Sequence, residues 1–168
     1  VKNIQNLMNL GFNNVIPVLD NKFELDLLLQ DFEKPFQIGI RIAAEEEPKF
    51  AFYTSRLGIR YSDIIPYYKK QIKTNKQVSL KMLHFFINTG IKDTSYYWNE
   101  LTKAVNLYCE LRKICPELDS LNIGGGFPSD YLKPTKTLDA YSKEITRFLK
   151  EDFGENLPEI IVEPGRSM

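Results

Sequence analysis

The stretch that decides the fold is Ser120–Pro128, which reads SLNIGGGFP. The aliphatic residues in it predict a short buried strand, Ser120 to Ile123, and three glycines follow at the C-terminal end of that strand. Residues without a Cβ let backbone N–H groups approach an anion closely, as in phosphate-binding nests. A tight strand-to-loop turn would explain the same glycines, so the run alone leaves both interpretations open.

A second strand end of this kind lies further along the chain. The apolar strand pattern Glu159 to Val162 is followed at once by the tetrapeptide Glu163-Pro164-Gly165-Arg166. A carboxylate and a guanidinium so placed can serve two partners of opposite polarity, a protonated ring nitrogen and a phosphate. A structural salt bridge at a turn is the alternative. Because the C-terminal ends of parallel strands share one rim, the two motifs together favour a single site.

Three further strand patterns precede these two, at Val15 to Leu19, Gln37 to Ala43 and Ser79 to Phe86. Helical patterns with one apolar stripe lie between the strands. The two clearest stripes are Trp98, Leu101, Val105, Tyr108, Leu111 and Cys115, and Leu138, Tyr141, Ile145 and Phe148. This alternation predicts an α/β fold with five βα units and a parallel sheet, in a single domain over residues 1–168.

The ends of two helices carry candidate capping residues. Ser62 is a candidate N-cap, which would put Pro66 in the first turn, where its missing N–H breaks no helical bond. Asp93 or Thr94 is a candidate cap for the long helix after the third strand. Five strands do not close a (β/α)₈ barrel, which needs eight strands and about 250 residues. We therefore expect part of a barrel or an open doubly wound sheet. The doubly wound sheet usually has a Gly-x-Gly-x-x-Gly motif after its first strand, and this sequence lacks that motif.

The amino-acid composition indicates which classes of binding partner to expect. The chain has 168 residues, 43% of them hydrophobic, and its 22 basic and 22 acidic side chains cancel. No surplus of positive charge is available for nucleic acid, and no apolar run approaches membrane-spanning length, so we expect neither partner. Cys109 and Cys115 fall within one predicted helix, in neither a metal-ligand nor a disulfide pattern, which fits a reducing, cytoplasmic setting and no metal site. Because the chain starts at Val1, we expect it to begin partway through a larger protein.

Taken together, these motifs resemble the fold type III pyridoxal-phosphate decarboxylases, the family of ornithine, arginine and diaminopimelate decarboxylases. Val18–Asp20 and Ile40–Ile42 look like the family's third and fourth barrel strands, and Leu83–Phe85 begins like its fifth. Ser55–Ile59 is similar to the family's Ser-Lys-Phe-Gly segment. The resemblance implies the central part of an alanine racemase-like (β/α)₈ barrel, without its first strands, last strand and C-terminal β domain.

The resemblance also implies roles for individual residues around pyridoxal 5'-phosphate. Three glycines would hold the cofactor phosphate, with Arg166 adding charge, and Arg41 would point into the same cavity. Glu163 would accept a hydrogen bond from the pyridine nitrogen; a carboxylate there keeps the ring protonated, so that it can take up the electron pair left when CO₂ departs. The glycines are Gly124, Gly125 and Gly126.

The sequence departs from the family pattern in several places. Where the family has His-x-His-x-Gly-Ser, this chain has His84-Phe85-Phe86-Ile87-Asn88-Thr89. His84 would be the first of the histidine pair, with a catalytic or supporting role. Phe86 would take the stacking position without a hydrogen-bonding group, and Thr89 could replace the serine hydroxyl. Asn122 stands where an acidic residue is common.

The family's cofactor-binding lysine lies on the first barrel strand. Lys81 is the only lysine inside a predicted strand here, and it lies in the N-terminal part of that strand, away from a site at C-terminal ends.

We therefore expect a fragment of a decarboxylase that acts on a basic amino acid (ornithine, arginine or lysine) in polyamine biosynthesis. The isolated fragment would be inactive, and it would form a homodimer or self-associate through its sheet edges. Two alternatives stay open. One is a non-catalytic decarboxylase-like binding or regulatory protein, which Phe86 favours, and the other is a different phosphate-binding β/α enzyme.

Overall fold

A computed structural model describes residues 2–12, 14–44, 57–87, 94–125, 138–154 and 156–163. Three of the predicted site residues, Thr89, Gly126 and Arg166, lie outside these ranges, as does the candidate cap Asp93. Helices and strands alternate along the described residues, except that the strand Ile59–Arg60 follows the strand Phe36–Ala43. The helices are α1 (Lys2–Asn9), α2 (Glu24–Asp31), α3 (Tyr61–Tyr67), which continues as a π-helix (Tyr68–Ile72), α4 (Thr94–Arg112) and α5 (Leu138–Phe153). The strands are β1 (Val18–Leu19), β2 (Phe36–Ala43), β3 (Ile59–Arg60), β4 (Val78–Phe85), β5 (Ser120–Asn122) and β6 (Glu159–Ile161).

All strand pairs among the described residues are parallel. The strand order is β1-β2-β4-β5-β6, and β3 pairs with the C-terminal part of β2. The register sets His84 opposite Asn122, and Asn122 opposite Ile161. The C-terminal ends of these strands therefore lie along one edge, which we call the C-terminal rim. This arrangement confirms the predicted α/β fold with a parallel sheet.

The core lies between the sheet and the helices that cover it. The central strands are apolar along most of their length, as expected for parallel strands covered on both faces, and Ile38, Ile40 and Leu83 are fully buried. Helix α4 buries Leu101, Val105 and Leu111 of its predicted stripe. Helix α5 buries Ile145. The helical periodicity therefore correctly predicted these core positions.

The predicted strand Val15 to Leu19 is too long, and one short strand was not predicted. Strand β1 contains only Val18 and Leu19, because Pro17 has no N–H to donate to the ladder, although its carbonyl accepts a bond from Gly39 N at 2.9 Å. The two-residue strand β3 was not predicted, since so short a segment carries no readable alternation.

The predicted start of helix α3 is wrong. The chain passes directly from β3 into the helix, so Arg60 occupies the N-cap position, without a side-chain capping bond, and Ser62 lies in the first turn. Pro66 consequently lies in the second turn, where its missing N–H removes a helical hydrogen bond.

The two cysteines do not share a helix. Helix α4 ends at Arg112, because Pro116 disfavours helical backbone at the residue before it. Cys115 follows the helix and is buried, whereas Cys109 lies within it and is half-buried; both are free thiols.

Candidate functional site

The C-terminal rim gathers polar and glycine residues from successive strands. Asp20 follows β1, Arg41 lies near the end of β2, and His84 lies near the end of β4. Gly124 follows β5, and Glu163 follows β6. All except Asp20 were predicted as site residues.

The two described glycines of the triple-glycine run are required by the close approach of neighbouring strand ends. Gly124 has a φ of 67°, and a Cβ on it would lie 2.6 Å from the carbonyl oxygen of Phe85. A Cβ on Gly125 would lie 2.1 Å from the carbonyl oxygen of Glu163. Real Cβ atoms do not tolerate such distances, so these positions admit no larger residue without backbone movement. The glycines thus join the ends of β4, β5 and β6.

Glu163 is held by a closed circuit of three hydrogen bonds, which we call the Asn122–Gly124–Glu163 ring. The backbone N–H of Gly124 donates to Asn122 Oδ1 at 2.8 Å, and the backbone N–H of Glu163 donates to the Gly124 carbonyl at 2.8 Å. Asn122 Nδ2 then donates to Glu163 Oε1 at 2.8 Å. Asn122 is buried, at 5% exposure, whereas Glu163 is exposed. The ring therefore fixes both the backbone and the carboxylate of a solvent-accessible acid.

Arg41 lies between an acid and an aromatic ring. Its Nη1 donates to Asp20 Oδ1 at 3.4 Å, and its guanidinium carbon lies 5.5 Å from the centre of the Phe86 ring. Asp20 is itself fixed through its backbone, because its N–H donates to Glu24 Oε2 at 2.7 Å and its carbonyl accepts from Gly58 N at 2.7 Å. The cation is thus oriented by an ion pair on one side and a cation–π contact on the other.

The protonation of His84 is affected by its surroundings on this rim. Burial lowers the pKa of the imidazole; Glu163 and Asp20 act in the opposite direction, and Arg41 reinforces the effect of burial. Its Nε2 atom is buried and has no hydrogen-bond partner among the described residues. A neutral imidazole with an unmet nitrogen at neutral pH can offer a hydrogen bond to a ligand.

Sequence reasoning missed the importance of two residues here. Asn122 was noted only as a departure from the family pattern, yet it holds Glu163. Asp20 was noted only as part of a strand resemblance, although it directly follows an apolar strand, the same signal that identified Glu163.

Lys81 lies away from the candidate site. Lys81 Nζ pairs with Asp119 just before the N-terminal end of β5, away from the C-terminal rim. Over the described ranges, no group of three or more His, Cys, Asp or Glu side chains could hold a metal ion. Within those same ranges, no helix has the length and apolar character to cross a membrane.

Comparison with curated sequences finds arginine decarboxylases. The chain is 26% identical over 177 residues to the biosynthetic arginine decarboxylase of Vibrio cholerae, covering 93% of this chain and 27% of that protein. It is also 26% identical over 169 residues to the biosynthetic arginine decarboxylase of Geobacter sp., covering 89% and 27%. The chain thus spans about a quarter of the length of the curated relatives that it matches.

Comparison with solved structures finds the same fold. The diaminopimelate decarboxylase of Helicobacter pylori, complexed with L-lysine, has a TM-score of 0.75 at 22% identity, over 98% of this chain and 42% of that one. The biosynthetic arginine decarboxylase of Campylobacter jejuni has a TM-score of 0.70 at 26% identity, over 97% and 29%. These likenesses confirm the predicted partial decarboxylase-type barrel.

The comparison with family models covers the chain from end to end. The model described as "Pyridoxal-dependent decarboxylase, pyridoxal binding domain" matches residues 1–168. This chain therefore belongs to the family of pyridoxal-binding domains of the pyridoxal-dependent decarboxylases.

Proposed function

We propose that this chain is the cofactor-binding part of a pyridoxal-phosphate-dependent decarboxylase that acts on a basic amino acid. The observation that carries the proposal is the Asn122–Gly124–Glu163 ring, which holds an exposed carboxylate beside glycines at the C-terminal rim. β/α barrels build their active sites at this rim.

The described residues fit pyridoxal phosphate. Gly124 and Gly125 lie at this rim without side chains, and the carbonyl oxygens of Phe85 and Glu163 fill the space that a Cβ would take, so a phosphate would meet this run through its backbone N–H groups alone. Glu163 offers a carboxylate, the partner that a protonated pyridine nitrogen requires. Phe86 offers an aromatic face, and the buried Nε2 of His84 is available for a hydrogen bond.

We assign each residue a task. Glu163 accepts a hydrogen bond from the ring nitrogen and thereby keeps a proton on it. Gly125 and Gly126 bind the phosphate through backbone N–H groups, with the charge of Arg166 and the hydroxyl of Thr89, whereas the N–H of Gly124 stays with Asn122. Arg41, held by Asp20 and Phe86, keeps a positive charge at the edge of the site. When bound, the cofactor supplies a cationic ring that takes up the electron pair released as CO₂ leaves.

The substrate and setting form the finer part of the proposal. Ornithine, arginine and lysine are the candidate substrates, and the names of the curated relatives make arginine the first to test. A basic amino acid that loses its carboxylate becomes an amine with a second basic group, which can serve as a precursor of polyamines. We therefore propose a role in polyamine biosynthesis. We also propose that the enzyme is a cytoplasmic homodimer.

The test uses the complete protein that contains this segment and measures CO₂ release from arginine, ornithine and lysine with pyridoxal phosphate present. We expect Glu163→Gln to lower kcat by about a hundredfold or more while the protein still binds the cofactor, because a proton on the ring nitrogen matters most as charge develops. Glu159→Gln is the matched control, since Glu159 is an exposed carboxylate at the other end of the same strand. Equal rates for both variants would overturn the role of Glu163. If no CO₂ is released from any of the three substrates, the proposed decarboxylase activity is wrong.

The second candidate is a non-catalytic binding protein of the decarboxylase type. Phe86 favours it, because a phenyl ring on the rim provides stacking but no hydrogen bond. Such a protein would bind pyridoxal phosphate, shown by a shift in its absorbance, and release no CO₂.

A further inference from the structure

We propose that Asn122 is a positioning residue, which presents Glu163 as a hydrogen-bond acceptor and links it mechanically to the glycine run. The inference rests on the proposed function, because it concerns how the carboxylate that meets the cofactor is held. It starts from a residue that the sequence marks only as a departure from the family pattern.

The orientation of the Asn122 amide follows from its partners. The backbone N–H of Gly124 can only donate, so the atom of Asn122 that faces it at 2.8 Å must be the oxygen. The NH₂ group must then face Glu163 Oε1, also at 2.8 Å. Turning the amide over would set two donors against each other at Gly124 and two acceptors at Glu163. The amide therefore has one stable orientation, and in that orientation it offers Glu163 only hydrogens.

Packing holds this orientation in place. Asn122 lies on β5 between two paired strands, with His84 of β4 on one side and Ile161 of β6 on the other. It is 5% exposed, so water cannot readily replace either of its hydrogen bonds. Since the carbonyl of Gly124 also binds the N–H of Glu163 at 2.8 Å, a movement of the glycine run moves the acid as well.

An acid at position 122 would act differently. Aspartate could still accept the bond from Gly124, but its second oxygen would face Glu163 Oε1 at hydrogen-bonding distance. Two carboxylates at that separation share a proton or move apart. Among the described residues, the charged groups that act on neighbouring His84 besides Glu163 are Arg41 of β2 and Asp20 after β1. Arg41 already pairs with Asp20, so it does not compensate a further negative charge.

The first test requires no cofactor. In the complete protein that contains this segment, the side-chain amide protons of Asn122 are followed by NMR, and their exchange with solvent is measured. Glu163→Ala removes the acceptor of Nδ2, so we expect that exchange to accelerate at least tenfold. Glu159→Ala, on the same strand, is the control and should leave the exchange rate unchanged. Unchanged exchange in Glu163→Ala would overturn the proposal.

The second test measures the affinity of the complete protein that contains this segment for pyridoxal phosphate by absorbance titration, with each variant compared with wild type at the same pH. We expect Asn122→Asp to bind nearly as well as wild type at about pH 5, where a proton bridges the two carboxylates, and at least tenfold more weakly at about pH 8. The double variant Asn122→Asp with Glu163→Gln restores a donor between the two positions, so its affinity relative to Glu163→Gln alone should not change with pH.

The outcomes separate this proposal from the proposed function. A weakening in Asn122→Asp that is the same at every pH is what a merely structural role predicts, and it would overturn the proposal. If the complete wild-type protein binds no pyridoxal phosphate at any pH, the proposed cofactor site fails, while the amide-exchange result still decides whether Asn122 positions Glu163.

Discussion

The two ends of strands β4, β5 and β6 use similar side chains in different ways. At the N-terminal ends, Lys81 pairs with Asp119, and the hydroxyl of Ser120 contacts both Asp119 at 2.7 Å and Glu159 at 3.3 Å. At the C-terminal ends, a buried amide holds an exposed acid, and His84 Nε2 is buried without a partner among the described residues. The N-terminal groups satisfy one another, whereas the C-terminal groups leave hydrogen-bonding capacity for something else.

This difference separates structural from functional polar clusters. Burial raises the pKa of Asp119, but its bonds to Lys81 and Ser120 outweigh that effect, so the net pKa lies below the ordinary aspartate value, as for a carboxylate in a satisfied ion pair. His84 shows the reverse pattern, with burial dominant and its charge disfavoured. A group held neutral, beside backbone that tolerates no Cβ, is what a ligand site requires.

The largest effect should come from filling the close approach at the C-terminal rim. Gly124→Ala combines a positive φ with a contact at 2.6 Å to the carbonyl of Phe85, so we expect the free energy of unfolding to fall by about 3 kcal/mol. Gly154→Ala is the matched control, because Gly154 has a similar φ of 60° with open space around it. Its loss should be about 1 kcal/mol. Urea denaturation measures both, and equal losses would contradict the close approach.

The second effect concerns the cation of the C-terminal rim. Arg41→Met removes the ion pair with Asp20 and the contact over the Phe86 ring, and it keeps an apolar stem of similar length. We expect a loss of about 1 to 2 kcal/mol in the free energy of unfolding, together with weaker binding of pyridoxal phosphate. Arg41→Lys keeps the positive charge, so it should recover part of the lost stability. It should not recover the stacking of the planar guanidinium on the Phe86 ring. Full recovery by lysine would mean that charge alone matters here.

A third, smaller effect is a change in pH dependence. The folded-state pKa of His84 lies below its ordinary value of about 6.5, chiefly because of burial, so the unfolded chain binds the proton more readily. The stability due to the neutral imidazole is therefore complete above about pH 6.5 and is lost as the pH falls toward the folded-state pKa. His84→Gln should flatten the pH dependence of urea denaturation in that window. A slope that remains unchanged would show that the imidazole does not resist protonation.

Sequence alone predicted the strands whose patterns are long and the residues that directly follow them. The middle strands were found to within a residue, and Glu163 was identified by its place after an apolar strand. A strand of two residues, such as β3, is too short to show a hydrophobic periodicity in the sequence. Strand ends next to proline, as at Pro17, depend on which N–H groups are available and not on hydrophobicity.

The contacts between rim residues could not be predicted, because they depend on register. Asn122 meets Glu163 only because β5 and β6 pair with Asn122 opposite Ile161. A shift of one residue would turn Asn122 to the other face of the sheet. The close contact of Gly125 with Glu163 depends on the same pairing. The motifs therefore indicate which residues follow strand ends, and the sheet register decides which of the described ones touch.

The smallest effect should come from the N-terminal ends, and it tests the contrast from that side. Lys81→Met removes the cation from Asp119, whose side chain is 45% exposed, so solvent screens the pair and the expected loss is below about 1 kcal/mol. Because Lys81 helps to lower the folded-state pKa of Asp119, the pair stabilises the fold above the ordinary aspartate value of 3.8, and this stability is lost as the pH falls through the folded-state pKa. The free energies of unfolding of wild type and variant, measured by urea denaturation, should therefore differ most at neutral pH and converge in acid.

Added salt should reduce the difference at neutral pH. It should leave the loss of stability in Gly124→Ala unchanged, because a steric overlap is not screened. A loss in Lys81→Met as large as that in Gly124→Ala would place the essential polar cluster at the N-terminal ends and remove the distinction between the two rims.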